Sequence, residues 1–389
     1  MTMAGATTTL RIGADSAAPS FAFDTSRNFE AWLFSQNISL AFTTYEIGKI
    51  FTVGISPQKQ LKFSERSFPR PMGLGVHDNG FWAGTMHQVW RFDNYLAPGA
   101  MHKGHDALYM PSMAFTTGDV DVHDIHMQGD SPLFVATQFN CIAEPVPGKS
   151  FRAVWRPPFI DRLAAEDRCH LNGMAIADGV LRYVTCVATT NLVGGWRERR
   201  HDGGVVLDVE TGEAVATGLS MPHSPRLHDG RLWLLQSGTG ELGHVDLATG
   251  RFEPVCFFPG FARGLAIHGD FAVVGVSLPR EKTKDFQGLA LQDRLRAEKV
   301  SPRCMIAIVN LRTGDLEHSI EVGAPIAEIY DVAILPGIRN PQLIGLQKDD
   351  IRFIVNPDPG SAFDPKTASQ SSRARSADPK QSKHEKVIQ

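Results

Sequence analysis

The chain has 389 residues and only five cysteines, Cys141, Cys169, Cys186, Cys256 and Cys304. The number is odd and no two stand in C-x-x-C spacing, which argues against a disulfide framework and a zinc knuckle. Most lie among apolar neighbours, as in VTCV around Cys186. Such thiols behave as small buried hydrophobes and suit a reducing compartment. No window approaches the ~18 apolar residues of a membrane span. The opening MTMAGATTTLRIGADSAAPS has no apolar core after a basic start, so it does not read as a secretory signal. These absences predict a cytoplasmic protein with no membrane partner. Positive charge is not in excess either: the net charge is −3, with the two signs interspersed, which predicts no nucleic-acid partner. No P-loop and no G-x-S-x-G elbow occurs. Helical periodicity is scarce and marks only residues 29–36 and 287–298.

Short β-type runs fill the rest. FWAGT from Phe81, LFVATQF from Leu133, LRYVTCV from Leu181, LWLLQS from Leu232 and FAVVGVSL from Phe271 are bounded by Gly, Asp or Asn. Six times a weaker apolar run precedes a turn and a stronger strand. Aligned on the residue after each leader, the anchors are Gly73, Asp124, Gly173, Ser224, Gly264 and Asp331. Their spacing stays near the ~40–50 residues of a propeller blade once an insertion at about 279–302 is set aside. Strands from Ile38, Lys49 and Leu61 have no inner strand before them, and the run at 330–355 has too few after it. The pattern predicts an all-β, six-bladed β-propeller in which N-terminal strands complete the last C-terminal blade. It places the propeller at 28–356. Residues 1–27 and 357–389, small, polar and poor in large apolar groups, are expected to be disordered.

The phrases FPRPMGLGV, CHLNGMA, MPHSPRLHDGRLWLLQSGTGELG and FFPGFARGLA together resemble an uncharacterised family of bacterial conserved hypothetical proteins, over residues 29–350. A looser resemblance is to six-bladed gluconolactonase-like lactonases, strictosidine-synthase-like proteins and peptidylamidoglycolate lyases. HLNG at 170–173 is similar to the Asn-bearing start of an inner strand in the lactonase group. The leaders here are richer in His than that group, which uses mainly carboxylates and Asn around its metal.

In a propeller the residue leading each innermost strand points to the axis. The six leaders, Met72, His123, Asn172, His223, Arg263 and Tyr330, would form a ring at one channel mouth. A second tier two residues earlier is Arg70, Asp121, His170, Met221, Phe261 and Glu328. His123, Asn172 and His223 are therefore candidate ligands for a divalent metal ion, in a site that His170, Asp121 or Glu328 could complete. Neutral imidazole suits zinc, iron, copper or nickel. Arg263 could clamp a carboxylate or oxyanion, and Tyr330 and Glu328 could handle protons. His126, three residues beyond His123 in one strand, points away, so HDIH is not a helical metal pair. Arg226 reads as structural. The excursions 189–204 and 279–302 fall between second and third strands, on the leader face. There Trp196 and Arg199, with Arg70, are candidate substrate contacts. The expected chemistry is metal-assisted hydrolysis or lysis of a small polar substrate such as a lactone, sugar acid or modified peptide. The alternatives are a water-filled polar plug and a non-catalytic propeller that binds a protein, peptide or sugar.

Overall fold

The computed structural model describes residues 8–12, 21–279, 287–347 and 349–357. Six antiparallel sheets follow one another along the chain. The second blade is Val122–Gln128, Ser131–Ala136, Cys141–Glu144 and Arg152–Trp155. The third is Leu171–Ala177, Val180–Cys186, Gly204–Asp208 and Ala214–Leu219. The fourth is Pro222–His228, Arg231–Gln236, Glu241–Asp246 and Arg251–Phe257. The first runs from Leu74–His77 to Ala107–Thr116 and gains a parallel outer strand, Pro341–Leu343. Local chemistry sets the hairpins. Asp178–Gly179 and Asp229–Gly230 both have positive φ at each residue, the geometry of the tight turn that matches strand twist.

The sixth blade closes the ring as the sequence predicts. Its inner strand, Asp331–Pro336, pairs with Ile38–Thr44, followed by Lys49–Ile55 and Leu61–Ser67. Phe42 stacks on Phe51 at 4.7 Å inside this blade.

The fifth blade is Phe261–His268, Phe271–Ser277, Met305–Asn310 and Leu316–Val322. Within the stretch 1–27, expected to be disordered, Phe21–Thr25 pairs with the last of these strands and Thr8–Ile12 pairs with Phe21–Thr25 in turn, while 1–7 and 13–20 lie outside the described residues. The alternation in FAFDT buries Phe21 and Phe23, and Phe23 stacks on Phe63 at 4.2 Å. Burying each such ring is worth about 1.5–3 kcal/mol. Two alternating phenylalanines in a polar stretch are easily averaged away by composition. At the other end the chain divides into two units, residues 1–348 and 349–389. In the following unit Asp349–Arg352 forms a short 3-10 turn. The expectation for the tail lies almost wholly outside the described residues.

The two helices are Phe29–Ser35 and Ala290–Glu298. Among the described residues no helix is long and apolar enough to cross a membrane.

The anchors interlock from blade to blade. The Leu74 amide donates to Asp331 Oδ2 at 2.7 Å, and the Met174 amide to Asp124 Oδ2 at 3.1 Å. The Gly264 amide donates to Ser224 Oγ at 3.2 Å. Gly264 has φ of 77°, and a Cβ there would meet Asp331 Cα at 2.7 Å, so this close approach of two inner strands requires glycine. Arg226 crosses the channel to hold Asp124 with both terminal nitrogens, at 2.9 and 3.1 Å, and also donates to Leu265 O.

Candidate metal and catalytic site

Four residues of the second tier, Arg70, Asp121, His170 and Met221, are left-handed, with φ between 47° and 56°. For residues with a Cβ this costs roughly 1–2 kcal/mol each. The kink lets the chain enter each inner strand with two successive tiers near the axis.

At this mouth the structure brings together His123, His170 and His223, all buried, with one ring nitrogen of each within 4.8 Å of the others. Their hydrogen bonds fix which nitrogen faces the group. Thr137 donates its single hydroxyl proton to Leu171 O at 2.6 Å, so its oxygen accepts from His123 Nδ1 at 2.8 Å. Ser237 donates to Ala262 O at 2.5 Å, so His223 Nδ1–H donates to Ser237 Oγ at 2.9 Å and to Met221 O at 2.8 Å. His170 Nδ1–H donates to the Asp167 carboxylate at 3.0 and 3.1 Å. Each ring thus has its Nδ1 bonded to an oxygen, and in His123 and His223 the nitrogen left as acceptor is Nε2. His223 Nε2 is buried with no hydrogen-bond partner. Burial, the other rings and Arg263 hold His123 well below the usual imidazole range; burial and Arg263 do the same for His223. Neutral imidazoles with Nδ1 braced by an oxygen are the form that ligates metal. The three imidazoles are a ligand set that would suit a transition-metal ion such as zinc.

The other predicted residues surround this group. Asn172 is buried; its Oδ1 accepts from Thr185 at 2.8 Å, and its Nδ2 has no partner. The Tyr330 ring lies 5.5 Å from that of His123. Its hydroxyl is buried without a hydrogen-bond partner, and burial, reinforced by Asp121, pushes its pKa well above the usual phenol value. The Arg263 guanidinium sits 4.3 Å over the Tyr330 ring, with Glu328 at 3.5 Å.

The three candidate substrate contacts differ in their surroundings. Arg70 is paired with Asp119 at 3.0 Å and stacks over Tyr45 at 5.2 Å. Trp196 lies against the histidine cluster. It is buried, its ring 4.3 Å from His170, and its indole N–H donates to Asp167 Oδ2 at 2.8 Å. Arg199 is exposed on the 3-10 turn Gly195–Arg199. His126 is not among the clustered histidines; its Nε2 lies 3.7 Å from Asp124 Oδ1.

The described parts of both excursions lie on the leader face. Trp196 from one and Leu289, Leu291 and Leu295 from the other form an apolar cluster with Met221 and Phe261. The braces were not foreseen: Thr137 and Ser237 on the leaders, and Asp167 on His170. Their signal is a Ser or Thr closing the second strand, as in FVAT, RYVT and LLQS. Thr43 and Ser277 do the same work, donating to Met72 O and Ile329 O of the following blade.

The sheets, their closure and the polar mouth define a six-bladed β-propeller. The chain belongs to the family described as a domain of unknown function (DUF4915), whose model matches residues 27–344. This agrees with the uncharacterised family that the motifs resemble. A comparison with curated proteins finds no match. Among solved structures, a nidogen/laminin complex is similar at a TM-score of 0.48 and 13% identity, covering 77% of this chain and 99% of that one. A protein of unknown function from Bacteroides caccae is similar at 0.45 and 9% identity, covering 77% and 98%. Virginiamycin B lyase from Staphylococcus aureus is similar at 0.37 and 13% identity, covering 61% and 73%. At these scores the likenesses carry no argument about activity.

Proposed function

We infer that this propeller is a metal-dependent enzyme that hydrolyses or lyses a small polar substrate at the channel mouth. The observation that supports this best is that His123, His170 and His223 are buried together, each with Nδ1 held by an oxygen and one ring nitrogen within 4.8 Å of the others. Three neutral ligands leave a divalent ion with positions for water or substrate, where it would polarise a carbonyl or acidify water. His223 Nε2, Asn172 Nδ2 and the Tyr330 hydroxyl, buried without a protein hydrogen-bond partner, offer polar contacts to a bound group at this mouth.

The protein's own groups have separate parts. Tyr330, whose proton is held tightly, is a hydrogen-bond donor to an oxygen gaining charge rather than a base. Arg263 adds positive charge beside it. Glu328 is the carboxylate positioned to orient Arg263 and to receive a proton. Metal analysis of untagged protein, followed by a screen of lactones and esters with metal-loaded protein, tests this reading. About one equivalent of a transition metal with turnover lost on chelation supports it. Protein that contains no metal and takes up none overturns it.

A further inference from the structure

The cluster is covered unevenly. On the side of the third to fifth blades, Trp196 lies on His170, while Leu289, Leu291, Met221 and Phe261 share its apolar cluster. Toward the sixth and first blades the cover is thinner. The side chains of Arg70 and Asp121 are 19% and 18% exposed there, against 5% for His123. Asp121 Oδ2 lies 3.6 Å from His123 Nδ1, and its Oδ1 lies 4.0 Å from Arg70.

Arg70 is also a wall of a cleft of about 640 Å³ on this face. Tyr45, Ile47, Phe68, Pro69 and Met86 give the cleft an apolar lining, and its charged members, Glu46 and Arg70, are opposite in sign. Its Tyr45 wall is joined to the candidate site through the Tyr330 ring. Tyr45 stacks on Tyr330 at 5.5 Å, and Tyr330 is 5.5 Å from His123. Arg70 is held by Asp119 rather than offered to an anion.

We propose that the cleft between the sixth and first blades is a substrate subsite, which takes an uncharged, largely apolar substituent while the reacting group reaches the histidine cluster. This rests on the metal reading above. The cleft is several times the volume a water needs and falls within the range of small-molecule sites. Its apolar walls, and an arginine already engaged by Asp119, favour an aryl or alkyl group over a second anion. The substrate is therefore a molecule with a polar, metal-seeking end and an apolar end.

Two metal-seeking probes, acetohydroxamate and the larger benzohydroxamate, separate the ends. Their dissociation constants are measured by calorimetry on the metal-loaded protein, together with Met86→Trp and Met86→Ala. The phenyl-bearing probe is expected to bind at least tenfold more tightly than acetohydroxamate. Met86→Trp should remove that gain and leave acetohydroxamate within twofold, while Met86→Ala should retain the gain. Equal affinities for the two probes on metal-loaded protein, or a gain that survives Met86→Trp, overturn the subsite and leave the metal reading standing. Protein that binds no metal and neither probe overturns both.

Discussion

Asp167 accepts the Nδ1 proton of His170 at 3.0 Å and, through its other oxygen, the indole proton of Trp196 at 2.8 Å. One carboxylate thus joins a candidate ligand to the residue that covers it. His170 holds Asp167 in its charged form, against the effect of burial. Of the three imidazoles, His170 is the one whose Nδ1 hydrogen bond goes to a carboxylate, which fixes the orientation of its ring.

Removal of a ligand gives the first prediction. His123→Ala, His170→Ala and His223→Ala should each weaken metal binding by more than the ~10–100-fold expected for loss of an outer partner. Metal analysis after dialysis against a weak chelator reads this. The control is His228→Ala at the Asp229–Gly230 turn, which should keep its metal. Circular dichroism should show native strand content in all four. If all three cluster variants retain wild-type metal, the assignment of ligands fails.

Loss of the brace gives the second. Asp167→Asn keeps size but removes the charge, and should weaken metal binding by about 10–100-fold without abolishing it. Trp196→Phe removes only the indole hydrogen bond and should fall between that variant and wild type. Competition with a fluorescent chelator measures both. An Asp167→Asn protein with unchanged affinity would mean that His170 is not a ligand.

The leaders were legible because a propeller repeats one local pattern, and each leader sits at a fixed offset from a strong hairpin such as ADGV or HDGR. Closure was legible because three strands at the start lacked an inner strand that the end supplied. The braces were not legible, since Thr137 meets His123 across a hairpin and donates to Leu171 in the next blade. Arg70 and Trp196 were placed on the correct face. Their partners, Asp119 and Asp167, depend on left-handed backbone at Arg70 and Asp167, which no periodicity reports. Phe21 and Phe23 were lost in a polar stretch although their spacing of two marks a strand.

A third prediction concerns the channel below the cluster. Arg226 holds the buried Asp124 with two hydrogen bonds. Arg226→Met leaves that carboxylate without its cation and should destabilise the protein by about 3–5 kcal/mol. Adding Asp124→Asn should restore much of the loss, because the buried charge is then gone. Urea unfolding of the single and double variants reads the difference. A double variant no more stable than Arg226→Met would show that the arginine acts through packing alone.

The last prediction is a pH dependence. Asp331 is fully enclosed, and burial, with the neighbouring Asp124 carboxylate, raises its pKa to about 7. Arg226 and the amides of Leu74 and Val332 oppose this. In the unfolded chain an aspartate ionises near ~3.9. Between those values the native state holds a proton that the unfolded state has released, so stability from this group falls as pH rises from about 4 to about 7. His123, His126 and His223 work in the opposite sense. Burial lowers their pKa values, so the unfolded state binds more protons and stability rises with pH up to about 6.5. The variant Asp331→Asn separates the two, since asparagine is neutral in both states. It loses one acceptor, for Leu74 or Val332, which adds a pH-independent offset. The gap between wild type and Asp331→Asn, measured as Tm at pH 5, 6, 7 and 8, should therefore shift in favour of the variant as pH rises and level off above 7. A constant gap across that range would show that Asp331 ionises at an ordinary carboxylate pH.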